Sequence, residues 1–101
     1  MTERRYPVRG EVDLASANDL QNELLTIVNE TTDDLVIDCT GLEFVDSTGI
    51  AVFVHTQRVL DMQGRDFRIE NLTGMARRAF DLLGLTELLA IGPETAEPRV
   101  G

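Results

Sequence analysis

The spacing of the apolar residues changes several times along the chain, and this alternation limits the fold more than any other feature of the sequence. Val8, Gly10 and Val12 alternate with charged residues, which is the period of a half-buried strand. Strands that alternate with helices build a mostly parallel sheet with right-handed crossovers. The pattern predicts strands near 7–13, 35–39, 66–70 and 88–91, and helices near 16–29, 48–62 and 73–83.

We therefore expect an α/β fold with a mixed, mostly parallel four-stranded sheet and three helices packed mainly on one face. The 101 residues fit one domain with a core over about 8–91, a polar start at 1–5 and a loose tail at 92–101. Pro7 marks the start of the first strand or an edge position, because it lacks a backbone N–H. The predicted core comprises Leu20, Leu24, Ile37, Ile50, Phe53, Ile69, Phe80 and Leu83.

The charge balance narrows the choice of partners. The chain has 18 acidic residues, nine basic residues that are all arginine, and a net charge of −9. This balance argues against binding to nucleic acid or to an anionic membrane surface, since both require clustered cations. It suits a basic protein partner, although solubility explains the charge equally well.

Disulfide-bonded, metal-binding, membrane-spanning and secreted proteins are disfavoured by what the sequence lacks. One cysteine, Cys39, excludes an intrachain disulfide and a cysteine-based zinc site, and one histidine, His55, excludes a multi-histidine metal site. No apolar run reaches the ~20 residues of a membrane span, and the first residues lack the apolar region of a secretory signal. We expect a cytoplasmic protein without a metal or cofactor, in which Cys39 is a buried, inert thiol.

The segment Asp46-Ser47-Thr48-Gly49 follows an apolar stretch and opens a helix. We predict Ser47 at the N-cap, just as Ser16, with Asp19 in a capping box, and Thr73 are predicted to cap the other helices. An exposed Ser47 hydroxyl would place a phosphate at the positive end of the helix dipole. An ordinary serine cap is the simpler explanation of this local pattern.

Enzymatic interpretations of the same segment fail on geometry. A phosphate-binding loop needs a lysine and a longer glycine-rich run, and Gly41 and Gly49 are too far apart to form one. An aspartic protease needs Asp-Ser/Thr-Gly without the extra residue found here. A serine hydrolase needs a histidine within reach of Ser47, whereas His55 lies about 12 Å further along the predicted helix. A structural role for His55 is therefore preferred.

Five successive apolar residues, 50–54, open the body of this helix. One face must pack on the sheet, but a single helix face cannot accommodate all five. The surplus is either covered by a neighbouring helix or left for a partner. Arg77 and Arg78 form a small basic pair that a solvated helix face explains better than an anion site does.

Four blocks in order resemble the STAS family, the domain of sulfate transporters and anti-sigma-factor antagonists. They are Gly10–Asp13, Leu35–Cys39, Phe44–Ile50 and Met75–Leu85. Each block is weak alone, but their order and spacing are specific, and the resemblance covers about residues 8 to 91. The absence of membrane spans points away from the transporter-linked branch.

For a stand-alone bacterial member, the resemblance implies an anti-sigma-factor antagonist and not an enzyme. Such a protein binds an anti-sigma factor, which is also a serine kinase, and thereby frees a sigma factor; phosphorylation ends the interaction and a phosphatase reverses it. The family's phosphorylated serine corresponds to Ser47, with Thr48 as the competing acceptor. We expect the partner surface to comprise Asp13, Asp46, Ser47, Thr48, Gly49, Val52 and His55. The alternatives are a scaffold subunit of a larger signalling assembly and a small hydrolase.

Two departures from the family pattern concern the ends of the chain. Nine residues precede Gly10, where the family usually has an extra opening strand, and residues 92–101 replace a common closing helix. A missing strand and helix would leave a sheet edge and some apolar surface uncovered. We therefore expect a monomer or a weak homodimer.

Overall fold

The computed structural model describes residues 2–93, and within them strand and helix alternate three times. The three strands form one sheet in the order β1-β2-β3, with both pairs parallel. The α/β class and the three helices are confirmed, but within this range the sheet is a parallel three-stranded one. The elements are β1 (Glu3–Val12), α1 (Ala17–Glu30), β2 (Asp34–Val45), α2 (Ser47–Met62), β3 (Phe67–Glu70) and α3 (Gly74–Leu82).

The predicted fourth strand at 88–91 is wrong, because this segment folds as a series of turns. The N–H of Leu89 donates to the carbonyl of Leu85 at 3.0 Å, as it would in a turn of helix. Within residues 2–93, this segment pairs with the sheet through one isolated parallel bridge, between Ile69 and Ile91. Leu89 and Ile91 are buried, so the apolar pattern that suggested a strand reflects packing, and the pairing with β3 is limited to this one bridge.

Both long strands extend beyond their predicted limits. β1 begins at Glu3, which pairs with Asp34, so the polar residues 3–5 belong to the sheet and are not loose. β2 continues to Val45, because its second half pairs with the end of β1 across two register shifts. Gly92 donates its N–H to the sheet at the carbonyl of Ile69, 2.9 Å away. The remainder of the predicted tail, 94–101, lies outside the described residues.

The core lies between the helices and one face of the sheet. Leu35, Ile37 and Cys39 alternate along β2 and are buried in it, and burial raises the pKa of the Cys39 thiol to about 12. The rings of Phe53 in α2 and Phe80 in α3 meet there with their centroids 5.9 Å apart. A thiol with this pKa stays protonated at neutral pH and acts as a small apolar side chain.

Seven of the eight predicted core residues are buried, and the exception is Leu83. Leu83 is 57% exposed because α3 ends at Leu82, so Leu83 occupies the C-cap and no longer follows the helical spacing from Phe80. The prediction of Leu83 as core is wrong, and its side chain instead becomes part of the surface described below.

The other face of the sheet carries ion pairs. Arg5 approaches Glu70 at 2.8 Å, and Arg68 approaches both Glu70 at 2.9 Å and Glu3 at 3.3 Å, above the buried Val36. These side chains remain 31–47% exposed, so this face is open to solvent and the pairs add little stability. No helix within residues 2–93 combines the length and apolar character needed to cross a bilayer.

Candidate functional site

The junction between β2 and α2 is closed by the Asp46 carboxylate. Asp46 has an extended backbone, and its Oδ1 accepts the N–H of Thr48 at 2.9 Å and that of Gly49 at 3.0 Å. These bonds, led by that from Gly49, hold the pKa of Asp46 below its ordinary value. Asp46 is therefore the N-cap of α2, and the prediction that placed Ser47 at this position is wrong.

Ser47 becomes the first residue of α2, one position inside the cap. Its side chain is exposed, and among residues 2–93 no hydrogen bond engages its hydroxyl, since Asp46 satisfies the neighbouring amides. Thr48, the next residue, is half-buried. A serine hydroxyl with these properties is an accessible acceptor for a modifying enzyme.

The same carboxylate joins this junction to the loop between β1 and α1. Oδ2 of Asp46 accepts the N–H of Leu14 at 3.2 Å, and the backbone N–H of Asp46 donates to the carbonyl of Val12 at 3.1 Å. Asp13 lies in this loop, half-buried, and its Oδ1 accepts the N–H of Ala15 at 3.0 Å. The carboxyl ends of β1 and β2 thus bring Asp13 and Ser47 to the same end of the sheet.

The first helix begins directly after Ser16, which occupies the N-cap as predicted, but Ser16 does not cap the helix with its side chain. The Ser16 hydroxyl accepts the N–H of Asp13 at 3.1 Å and donates to the carbonyl of Glu11 at 3.2 Å, and it makes no bond to the first turn of α1. The capping box with Asp19 is therefore wrong, because the backbone of Ser16 has already turned into the helical region. Thr73 precedes α3 as predicted, but its side chain makes no capping bond either.

Gly49 allows the first turn of α2 to pack against the ends of two strands. A Cβ at this buried position would lie 2.6 Å from Cγ1 of Val12 and 2.7 Å from Cγ2 of Val45. Real side chains do not approach so closely, so a larger residue would force the helix away from the sheet. Gly49 therefore acts by close packing, and it contributes no side chain to a partner surface.

Val52 is only 4% exposed, which contradicts its predicted place on the partner surface. Because α1 packs on one side of α2 and the sheet on another, Ile50, Val52 and Phe53 are all buried. Ala51 is exposed, and Val54 is half-buried. Most of the apolar surplus in this run is thus covered by the chain itself.

An open groove of about 510 Å³ runs along α2 from Ser47 to Arg58. His55, an exposed residue of the predicted partner surface, stands in its α2 wall, and Leu83 forms part of the opposite wall. Sequence reasoning missed Arg58 and Leu83. The signal for Arg58 was present, since it follows Ser47 by about three helical turns along one stripe. The other lining residues are Ile50, Ala51, Val54 and Leu85.

A second, smaller hollow of about 250 Å³ lies on the opposite side of the α2 start, where Leu14 and Thr48 face α1. Leu14 is 77% exposed, although its N–H is held by Asp46. Ala51 borders both hollows, so the start of α2 forms a low ridge between them. His55 lies about two turns beyond Ser47 on α2, about 12 Å along the axis and out of hydrogen-bonding reach of it.

Comparison with known proteins gives relatives over nearly the whole chain. Residues 4–97 match the STAS domain family. The chain is 33% identical over 88 residues to the anti-sigma-B factor antagonist of Bacillus subtilis strain 168, covering 87% of this chain and 80% of that protein. It is 28% identical to the anti-sigma-B factor antagonist of Staphylococcus epidermidis, covering 87% and 82%.

Solved structures share the fold at lower sequence identity. The unphosphorylated anti-sigma factor antagonist SpoIIAA superposes with a TM-score of 0.65 at 17% identity, covering 96% of this chain and 81% of that chain. A sulfate transporter family protein from Wolinella succinogenes gives a TM-score of 0.72 at 18% identity, covering 86% and 70%. The same fold, the match over residues 4–97 and a relative above 30% identity lead to one conclusion: this chain belongs to the STAS domain family.

Proposed function

We propose that this chain is an anti-sigma-factor antagonist, a non-enzymatic protein that binds an anti-sigma factor and so releases a sigma factor. The observation that carries the proposal is the exposed, unengaged Ser47 hydroxyl at the start of α2, beside two hollows that a partner can fill. The names of the relatives from Bacillus subtilis and Staphylococcus epidermidis support it. The protein acts as one domain in the cytoplasm.

The proposed switch is phosphorylation of Ser47 by the anti-sigma factor, acting as a serine kinase, with a phosphatase restoring the free hydroxyl. A phosphate adds about −1.5 to −2 charges at pH 7. The amides of Thr48 and Gly49 already bond the Asp46 carboxylate, so the phosphate stays outside the cap, in solvent. The lowered pKa of Asp46 keeps that carboxylate charged, and two negative groups then stand side by side.

This arrangement affects the free protein and the complex differently. In the free protein both charges face water and salt, which screens charges over about 8 Å at physiological ionic strength. A partner packed on Ser47 would have to remove water from the phosphate and accommodate both charges. A loss of ~3 kcal/mol in binding already lowers affinity more than a hundredfold. Phosphorylation therefore ends binding while leaving the fold intact.

Thr48 is the weaker acceptor. It lies one residue further into α2 and is half-buried, so its hydroxyl is less accessible than that of Ser47. Its backbone N–H is also fixed on the Asp46 carboxylate. A kinase that needs the acceptor residue to be displaced from the helix would disturb the cap at Thr48 but not at Ser47.

The test begins with the partner. Tagged wild-type protein is incubated with lysate of its own host cells, and the retained anti-sigma factor is identified by mass spectrometry and purified. With ATP, it should phosphorylate wild-type protein and the Thr48→Val variant at Ser47, and leave Ser47→Ala unmodified. Ser47→Ala should bind continuously, Ser47→Asp more weakly.

Three results would contradict the proposal. They are retention of no anti-sigma factor, phosphate mapped to Thr48 with Ser47 free, or phosphorylated protein that binds as tightly as the unmodified form. Thr48→Val is the matched control, since it keeps the shape of the neighbouring side chain and removes its hydroxyl.

A further inference from the structure

We propose that the groove between α2 and the end of α3 seats an amphipathic helix of the partner, and that an acidic side chain of this helix pairs with Arg58. The inference rests on the proposed function and specifies the chemistry of the partner. It concerns the end of the groove that lies away from Ser47, and Arg58 is assigned as a specificity-determining residue.

The groove is apolar along its length and charged at one end. Ile50, Val54, Leu83 and Leu85 contribute apolar side chains, and Leu83 remains 57% exposed. Covering an exposed leucine beside an open groove removes apolar surface from water, which stabilises the complex with a partner. Apolar side chains of a bound segment would supply that cover.

The charge of this groove is opposite to that of the protein. The chain carries a net charge of −9, yet the residues that line the groove include no carboxylate. The guanidinium of Arg58 stands in its α2 wall, and Arg58 forms no ion pair with any residue between 2 and 93. An acidic group on the bound segment complements this end, whereas a basic one would be repelled.

The walls of the groove favour a helical occupant. They consist of a helix on one side and, on the other, residues at and after the end of α3, with no strand edge among them. An extended peptide would find no row of backbone groups to pair with, while a helix satisfies its own. Ser47 and Arg58 lie eleven residues apart on α2, about 16 Å, which three turns of a bound helix would span.

The two ends of the groove then have separate tasks. The α-carbons of Ser47 and Arg58 are about 16 Å apart along the helix axis, so the phosphate on Ser47 and the Arg58 side chain start from opposite ends of the groove, and neutralising the phosphate is not the role assigned to Arg58. Arg58 instead selects a helix with a carboxylate at the distal end, and Ser47 decides whether the near end can close. Loss of the Arg58 contact should therefore weaken binding of the unphosphorylated protein without altering phosphate mapping.

The experiment measures affinity for the anti-sigma factor purified from the host lysate, by calorimetry, with wild type, Arg58→Glu and Arg78→Glu. Arg78 is the matched control, since it is also exposed, helical, without an ion pair within residues 2–93, and three residues before an aspartate. Arg58→Glu should weaken binding about tenfold or more, and Arg78→Glu less than about twofold. Thermal unfolding of the variants confirms that each is folded.

A second arm identifies the occupant. A photo-reactive side chain at Leu83, which lines this groove and not the second hollow, should crosslink to a helix of the anti-sigma factor. The same group at Met75, which lies outside the groove, should not. Reversing the acidic residue of the crosslinked helix to arginine should restore binding to Arg58→Glu and weaken binding to wild type. This exchange depends on the pair itself and not on overall charge.

Outcomes separate the inference from the function it rests on. If wild type retains no anti-sigma factor, the proposed function fails and the inference with it. If wild type binds but Arg58→Glu binds equally well, or Arg58→Glu and Arg78→Glu lose equal affinity, the inference alone is overturned. Crosslinks from Leu83 to a second copy of this chain, to an extended segment or to no protein, or a charge exchange without rescue, overturn it as well.

Discussion

Two strand-to-helix junctions lie side by side at one end of the sheet, and each contains a serine in a different state. Ser16, between β1 and α1, is half-buried, and its hydroxyl bonds to the backbone of Asp13 and Glu11. Ser47, between β2 and α2, is exposed and its hydroxyl is free of hydrogen bonds within residues 2–93. The difference arises because Asp46 caps α2, which leaves Ser47 without a structural task.

The two junctions are also linked. Asp46 uses one oxygen for its own helix and the other for the N–H of Leu14 in the neighbouring loop. One carboxylate therefore sets the position of both sides of the surface around Ser47. A serine at a helix start is thus available for chemistry when the residue before it does the capping.

The largest expected effect on the second junction comes from substituting a buried residue of α2. Val52→Asp places a carboxylate among apolar side chains with no partner, and we expect a loss of about 3–5 kcal/mol in unfolding free energy. Ala51→Asp, on the exposed neighbour, should change stability by less than about 0.5 kcal/mol. Urea unfolding measures both. A folded, equally stable Val52→Asp protein would mean that Val52 is at the surface.

A smaller effect should follow from filling the contact at Gly49. Gly49→Ala introduces a methyl group 2.6 Å from the side chain of Val12, and we expect a loss of about 1–3 kcal/mol. Gly41→Ala is the control, since its Cβ would come closest to the flexible side chain of Arg9, at 3.2 Å, with the Arg9 backbone at an ordinary contact distance of 3.6 Å. Equal losses at the two glycines would show that the close approach of α2 to the strands is not what Gly49 provides.

The bond between the junctions has a pH dependence. The pKa of Asp46 is lowered by folding, so its stabilising effect is present above the unfolded value of about 3.9 and is lost as pH falls through the lower folded value. Asp46→Ala should therefore be less stable than wild type at pH 7, with a gap that narrows below about pH 4. Unfolding curves between pH 2.5 and 7 measure the gap, and a gap that stays constant would exclude this role.

Hydrogen exchange sharpens the same prediction. In Asp46→Ala the amide of Leu14 loses its acceptor and should exchange faster, as should those of Thr48 and Gly49. Faster exchange at Thr48 and Gly49 with an unchanged Leu14 would mean that the two junctions are held independently.

The sequence patterns predicted the arrangement of strands and helices better than their ends. Helical spacing placed Phe80 in the core correctly, but the same spacing placed Leu83 there because it cannot show that α3 has ended. The short apolar run at 88–91 indicated a strand, yet burial of Leu89 and Ile91 in a segment of turns gives the same pattern. Local periodicity reports burial, and it does not report which backbone groups pair.

The candidate site was predictable in position but not in detail. Asp46 and Ser47 are both good N-cap residues, and their order alone does not decide which one caps α2. The burial of Val52 was not predictable from the sequence either, because it depends on where α1 packs against α2. Arg58 lines the groove because Leu83 and Leu85, which follow α3 in the chain, form the wall facing α2. The sequence alone does not show that these distant segments meet.

The smallest expected effect tests the comparison of the two serines directly. Ser16→Ala removes a hydroxyl that joins the backbone of Asp13 and Glu11, so we expect a loss of about 1 kcal/mol in unfolding free energy. Ser47→Ala removes a hydroxyl that faces solvent and should change stability by less than about 0.5 kcal/mol. Chemical unfolding of the two variants beside wild type measures the difference. If Ser47→Ala were the less stable variant, the Ser47 hydroxyl would have a structural task that conflicts with its release for phosphorylation. If neither substitution changed the free energy of unfolding, the hydrogen bonds of Ser16 would not stabilise the first junction. The two serines would then differ in exposure alone.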